Sequence, residues 1–212
     1  MSVLSRIAYF QGRHDEVPNQ ELARELAYTK DQQGLQEIAQ NLWNENRSIQ
    51  SDCLKVLYEI GYLEPQLIAD YAADFLKLLE SKQNRLVWGS MIALSTLAPI
   101  RAGELFPYIA DIKRAIEQGS VITRDNGIKV LAGIASAQDS YRQAIFPYLA
   151  RHLETCRAKD VPQHAESVLV AVNAAARDEF VRVLEKRLPE MSSSQASRLK
   201  KVIRATEILA GE

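Results

Sequence analysis

The sequence predicts an all-α chain in which a two-helix unit recurs about five times, the pattern of an α-solenoid. Three observations carry this. Apolar residues recur at helical spacing along most of the chain. The 9 Gly and 7 Pro among 212 residues are too few for the frequent turns of a sandwich or barrel. Short stretches repeat at offsets of 36 to 40 residues, the period of stacked helical hairpins.

Taken in order, residues 1–18 carry Ile7, Tyr9 and Phe10 but match no repeat, so they are expected to cap the open end of the first unit. Helical segments follow at 19–28 and 32–44. In the next, Cys53, Leu54, Val56, Leu57 and Ile60 form a broad apolar stripe. Gly61 stands where a helix C-terminus tolerates left-handed geometry. Pro65 opens the segment 66–81 in a first-turn position, where its missing N–H has no partner to lose. Further helices are expected at 84–98, 103–118, 122–136, 140–156, 163–176, 179–190 and 194–209. Ser192 and Gln195 have capping-box spacing ahead of the last of these, whose outer side is basic. Without a linker or low-complexity stretch, residues 19–212 read as one domain behind the capping segment 1–18.

The repeats can be aligned residue by residue. Leu54–Ile60 and Ile128–Ile134 share Lys-Val-Leu and lie 74 residues apart, two steps of 37, with Ile92-Ala93-Leu94 between them. Phe106-Pro107-Tyr108-Ile109-Ala110 recurs 40 residues later as Phe146-Pro147-Tyr148-Leu149-Ala150. Tyr71-Ala72-Ala73-Asp74 aligns with Tyr108-Ile109-Ala110-Asp111 at an offset of 37.

The apolar-Pro-x-apolar starts at 106–109 and 146–149 resemble those of HEAT second helices. The run from Arg85 and Val87 into Ala93-Leu94 is similar to HEAT first helices, with Arg and Val one residue apart. On these residues, 19–209 resembles the HEAT-type repeats and their HEAT-like and armadillo-like variants. The resemblance implies a right-handed α-solenoid of about five HEAT-like hairpins. The chain departs from the pattern in a short last unit and in Gly127 and Gly133, which mark either close helix packing or a weaker helix. A fold of this kind hosts many unrelated roles.

Composition narrows the roles. With 26 Lys plus Arg against 27 Asp plus Glu, the net charge of −1 argues against a basic nucleic-acid coat. Charge does divide along the chain: residues 1–106 hold 10 basic and 14 acidic residues, residues 107–212 hold 16 and 13. A nucleic-acid-binding protein, or one resembling the HEAT-like DNA glycosylases, would use this more basic second half. Acidic neighbours dilute the basic clusters, and neither Trp43 nor Trp88 has the flanking Asp and Arg that would carry the glycosylase likeness. This is the second reading. A tetrapyrrole-handling role, known among HEAT-like proteins, has no support beyond the fold. Two cysteines without CxxC spacing fit a reducing cytoplasm, and no run reaches the length of a membrane span.

The search for chemistry yields no enzyme signature. There is no GxSxG and no glycine-rich phosphate loop. His152 and Cys156, four apart, could share a helix face, but a zinc site needs three or four ligands, and His164 lies beyond a charged loop. The pair is read as a half-exposed His and a core Cys, and Cys53 as an inert core thiol. Asp178 and Glu179 read as helix N-terminal charges. The expectation is therefore no metal, no cofactor and no catalytic residue.

A non-enzymatic scaffold for a protein partner is the leading expectation. In stacked hairpins one helix of each pair lines the concave face, and the repeat alignment assigns this to the proline-containing set. Tyr71, Tyr108 and Tyr148 hold equivalent places there, one step off the core stripes. Arg142 and Arg151 share the helix of Tyr148 and would add charged anchors for an acidic partner segment, Tyr and Arg being the residues of binding hot spots.

Overall fold

A computed structural model describes residues 2–207. Every long element among them is helical. They are α1 (Val17–Thr29), α2 (Gln32–Gln40), α3 (Arg47–Leu63), α4 (Ala72–Leu78), α5 (Asn84–Leu97), α6 (Ala102–Leu105), α7 (Ile109–Gln118), α8 (Val121–Ser136), α9 (Asp139–Thr155), α10 (Val161–Val168), α11 (Ala174–Arg187) and α12 (Ser193–Ala205). Short 3-10 turns extend or join several of them, the longest at Pro65–Tyr71. Among the described residues no helix is long and apolar enough to cross a membrane.

The contacts divide the chain into two compact units: residues 1–101 with 110–127, and residues 102–109 with 128–212. In the first, α3 is central. It packs between α1 and α5, and its other side meets α2 and the 3-10 turns at Asn41–Trp43 and Pro65–Tyr71. Leu54, Leu57 and Ile60 of its apolar stripe are buried, as Cys53 is. In the second unit α9 packs on α11 and α10 on α12, so successive hairpins again stack like on like. Ile128, Leu131 and Ile134, the equivalents of Leu54, Leu57 and Ile60, are fully buried there.

Side chains close the helix starts. Asp31 accepts from the Gly34 N–H, Asn46 from Ser48 and Asn173 from Ala176. The capping box expected at Ser192 is present, with Gln195 accepting from the Ser192 N–H at 2.9 Å.

The N-terminal segment is fastened by hydrogen bonds as well as by buried Ile7 and Ala8. Glu37 accepts from Ser2 Oγ and the Val3 N–H, Asn19 from the Ala8 N–H and Asp52 from the Tyr9 N–H. Tyr9 and Phe10 stay exposed, their rings edge to face.

Several boundaries differ from the sequence reading. Gly61 does not end its helix; α3 continues to Leu63 and the glycine is buried inside it. A Cβ there would stand 2.5 Å from Thr96 Oγ1 and 2.8 Å from Ile68 Cδ1, so the residue serves close packing. The segment expected at 163–176 stops earlier, because Val172 is extended and Asn173 caps a new helix at Ala174. Asp178 and Glu179 consequently lie inside α11, not at its N-terminus. The last helix runs to Ala205, and residues 208 and 209 of the expected segment lie outside the described residues. Gly127 of α8 is a packing glycine too: a Cβ would meet Ile116 Cγ1 at 2.3 Å.

Candidate functional site

The repeated Phe-Pro-Tyr motif folds in two ways. At Phe106–Tyr108 it is a 3-10 turn between α6 and α7, which leaves Phe106 half-buried and Tyr108 exposed. Phe106 stacks on Tyr141, ring centroids 3.9 Å apart and nearly parallel. At Phe146–Tyr148 it lies within continuous α9, with Phe146 buried, Pro147 exposed and Tyr148 half-buried. Tyr71, half-buried, ends the 3-10 turn Pro65–Tyr71 of the first unit, where burial and the carboxylates of Asp70 and Asp74 raise its phenol pKa. It stays a neutral hydroxyl at physiological pH.

The two arginines take different places. Arg151 is exposed, one turn beyond Pro147 on the same side of α9. Arg142 is not a free anchor: its side chain is only 15% exposed, its Nε donates to the Ala171 carbonyl at 2.8 Å and its Nη1 to Asp139. The guanidinium is committed to the end of the neighbouring hairpin, which corrects its expected role as a charged anchor. It still forms a wall of a cleft of about 300 Å³ between α9 and α11. Phe146, Pro147, Ala175 and Ala176 give that cleft an apolar lining, and Asp139, Gln143, Asn173 and Glu179 give it polar edges.

A larger cleft, about 500 Å³, opens in the first unit beside the N-terminal segment, and its lining is mostly polar or charged. Next to it lies a network that the sequence reading missed. Lys55 Nζ is 2.8 Å from Glu16 and 2.6 Å from Glu59 and sits over the Tyr58 ring, 4.8 Å from its centroid. Arg85 reaches the other oxygen of Glu16 at 3.2 Å. The hydrogen bond from Lys55 holds the Glu16 carboxyl below the usual carboxylate range. The i, i+4 pair Lys55 and Glu59 is readable in the sequence. Glu16, from another element, is not.

The cysteines and histidines also sort by environment. Burial pushes the Cys53 thiol up to about 12, which fits an inert core residue. Cys156 is half-buried, also raised by burial, with Arg187 opposing. The structure brings His164 to the His152–Cys156 pair despite the charged loop between them: His152 Nε2 and His164 Nδ1 are 2.9 Å apart.

No protein-family model matches the sequence, and no curated protein does. Solved structures do match. A designed armadillo repeat protein aligns over 96% of this chain and 98% of its own, with 13% identity and a TM-score of 0.64. A second design, solved in complex with the peptide (KR)4, aligns over 87% of this chain and 86% of its own, with 13% identity and a TM-score of 0.61. Kap121p aligns over 94% of this chain, which spans 22% of that protein, with 14% identity and a TM-score of 0.64. These alignments over nearly the whole chain make the fold an all-α solenoid of the HEAT/armadillo-like kind.

Proposed function

We propose that the chain is a non-enzymatic scaffold that binds a protein segment along its second helices, α9 and α11 in the second unit. The observation that carries this is the cleft between those helices. Its apolar lining, Phe146 and Pro147 with two alanines, suits one or two side chains of an extended peptide, and its polar edges suit the peptide backbone. Tyr148 and Arg151 continue the surface along α9. A half-buried phenol and an exposed guanidinium on one helix are the composition of a binding hot spot, and Arg151 favours a partner segment with carboxylates. Tyr108, exposed in the same unit, extends the proposed surface, and half-buried Tyr71 is proposed as a separate contact within the first unit. The armadillo design in complex with the peptide (KR)4 supports the general reading that such a solenoid can take a peptide.

A random peptide library displayed on phage and panned against the full chain tests this. Enriched peptides should carry acidic residues beside an apolar one. Their affinity should fall about tenfold or more for Tyr108→Ala/Tyr148→Ala and for Ala175→Arg, which fills the cleft, while melting temperatures stay within a few degrees of the parent. Peptides that bind these variants as well as the parent place the binding surface elsewhere. A double variant that melts far lower makes the tyrosines packing residues.

A further inference from the structure

His152, Cys156 and His164 play no part in the binding surface just proposed, and what they can do stands independently of it. Cys156 is the C-cap of α9: it leaves the helix in extended conformation while its N–H donates to the His152 carbonyl at 2.8 Å. The i, i+4 spacing keeps both side chains on one side of the last turn. The short connection through Asp160 then leads into α10, whose fully buried His164 returns onto the pair. Its ring is tilted 49° to that of His152, and one ligand atom from each of the three residues lies within 4.8 Å of the others.

We propose that His152, Cys156 and His164 bind a Zn²⁺ ion through three protein ligands, with the fourth position left to water. A tetrahedral zinc ion, with Zn–N of about 2.0 Å and Zn–S of about 2.3 Å, separates its ligand atoms by about 3.3 to 3.6 Å. The two nitrogens, 2.9 Å apart, need to open by only a few tenths of an ångström. The sulfur, at most 4.8 Å from a ring nitrogen of each histidine, has to close by little more than 1 Å, which a side-chain rotation supplies. The imidazoles now share a proton between Nε2 and Nδ1. On binding, that proton moves to the other nitrogen of its own ring, leaving both lone pairs for the metal. The thiol S–H bond breaks, the Zn–S bond forms, and one proton leaves per ion with no change of oxidation state. Imidazole with thiolate selects zinc over the oxygen-seeking Mg²⁺ and Ca²⁺. Arg187, whose Nη2 donates to the Cys156 carbonyl at 2.8 Å, favours the thiolate, and Glu190 in turn accepts from Arg187. The half-buried His152 and Cys156 leave the ion an entry path. Bound there, it would clip the end of α9 to α10.

The test titrates the full chain, stripped with a chelator, with Co²⁺ as a spectroscopic substitute for zinc. One Co²⁺ per chain should bind with a thiolate-to-cobalt charge-transfer band, and one equivalent of Zn²⁺ should erase it. Cys156→Ser should abolish the band, His152→Ala should weaken Co²⁺ binding about tenfold or more, and Cys53→Ser should change neither. If a variant loses its helical circular-dichroism signal, the parent chain decides: Zn²⁺ should slow alkylation of Cys156 by iodoacetamide, read by peptide mass mapping. No stoichiometric band, a band that survives Cys156→Ser, or alkylation unaffected by Zn²⁺ overturns the proposal.

Discussion

Arg142 and Arg177 make the same hydrogen bond one repeat apart. Each is the fourth residue of its helix, α9 or α11, and each donates from Nε to a carbonyl just past the next helix, Ala171 in the 3-10 turn after α10 at 2.8 Å and Thr206, the C-cap of α12, at 3.2 Å. The last carbonyls of a helix have no partner within it, and a guanidinium is a strong, charged donor for them. The pair is thus a repeated stitch between the two helix layers of the second unit.

Arg142→Ala and Arg177→Ala should therefore each lower stability by about 1–3 kcal/mol, the range for a hydrogen bond to a charged group. Urea denaturation of the single variants measures it. A loss below about 0.5 kcal/mol at both positions would put these arginines with ordinary surface residues.

The repeat register makes a second prediction. Leu57 and Leu131 occupy equivalent positions in α3 and α8 and are both fully buried. Replacing either with Ala should cost roughly 2–5 kcal/mol, a lost transfer energy plus a cavity. Equal and large losses in chemical denaturation support the alignment, whereas a loss under about 1 kcal/mol at either site contradicts it.

What the sequence reveals here follows from how far each interaction reaches along the chain. Helices, the capping box at Ser192 and the 37-residue register rest on neighbours within a few residues or on repetition, and they are legible. The break after Val172 is only half legible. Asn173 is a recognisable cap, but the apolar run from Val168 through Ala176 reads as continuous helix until the cap closes on Ala176. Arg142 looks like a surface charge because its acceptor, the Ala171 carbonyl, is a backbone group that no side-chain pattern marks. His164 reaches His152 only through the turn taken by the loop between α9 and α10, and Glu16 reaches Lys55 only through the path of the N-terminal segment. Contacts set by the path of a loop cannot be seen in spacing.

Gly61 gives a prediction opposite in sign to helix propensity. Within an exposed helix, Gly→Ala gains about 1 kcal/mol. Here the added methyl would stand 2.5 Å from Thr96 Oγ1 and 2.8 Å from Ile68 Cδ1, so Gly61→Ala should instead destabilise by about 1–3 kcal/mol. Thr96→Ala removes one of the two obstacles, so in a double-mutant cycle Gly61→Ala should cost less in that background. Gly61→Ala that stabilises the parent chain would mean α3 and α5 are free to move apart.

Lys55→Met and Glu16→Gln test the charged network from both ends. Burial alone would push the Lys55 pKa down, yet its hydrogen bonds to Glu16 and Glu59 hold it raised. A base with a raised folded pKa contributes stability below its unfolded value and loses it as pH rises through the folded one. Glu16 is the mirror case. Its folded pKa is lowered, chiefly by the hydrogen bond from Lys55, so its contribution is complete above the unfolded value of about 4.3 and fades as pH falls through the folded one. Because Glu16 is 41% exposed, water screens the pair, and Glu16→Gln should cost only about 0.5–1.5 kcal/mol at pH 7. Lys55→Met should cost a similar amount or more, because Glu59 and Glu16 are left facing each other without the ammonium. Urea denaturation of the parent and Glu16→Gln chains at pH 7, 5, 4 and 3 separates charge from packing. The gap between them should hold down to about pH 5 and narrow as pH falls below the unfolded value, as the parent carboxyl takes up its proton. A gap that stays constant across the series would show that Glu16 acts through its shape and hydrogen bonds, and that its charge contributes nothing.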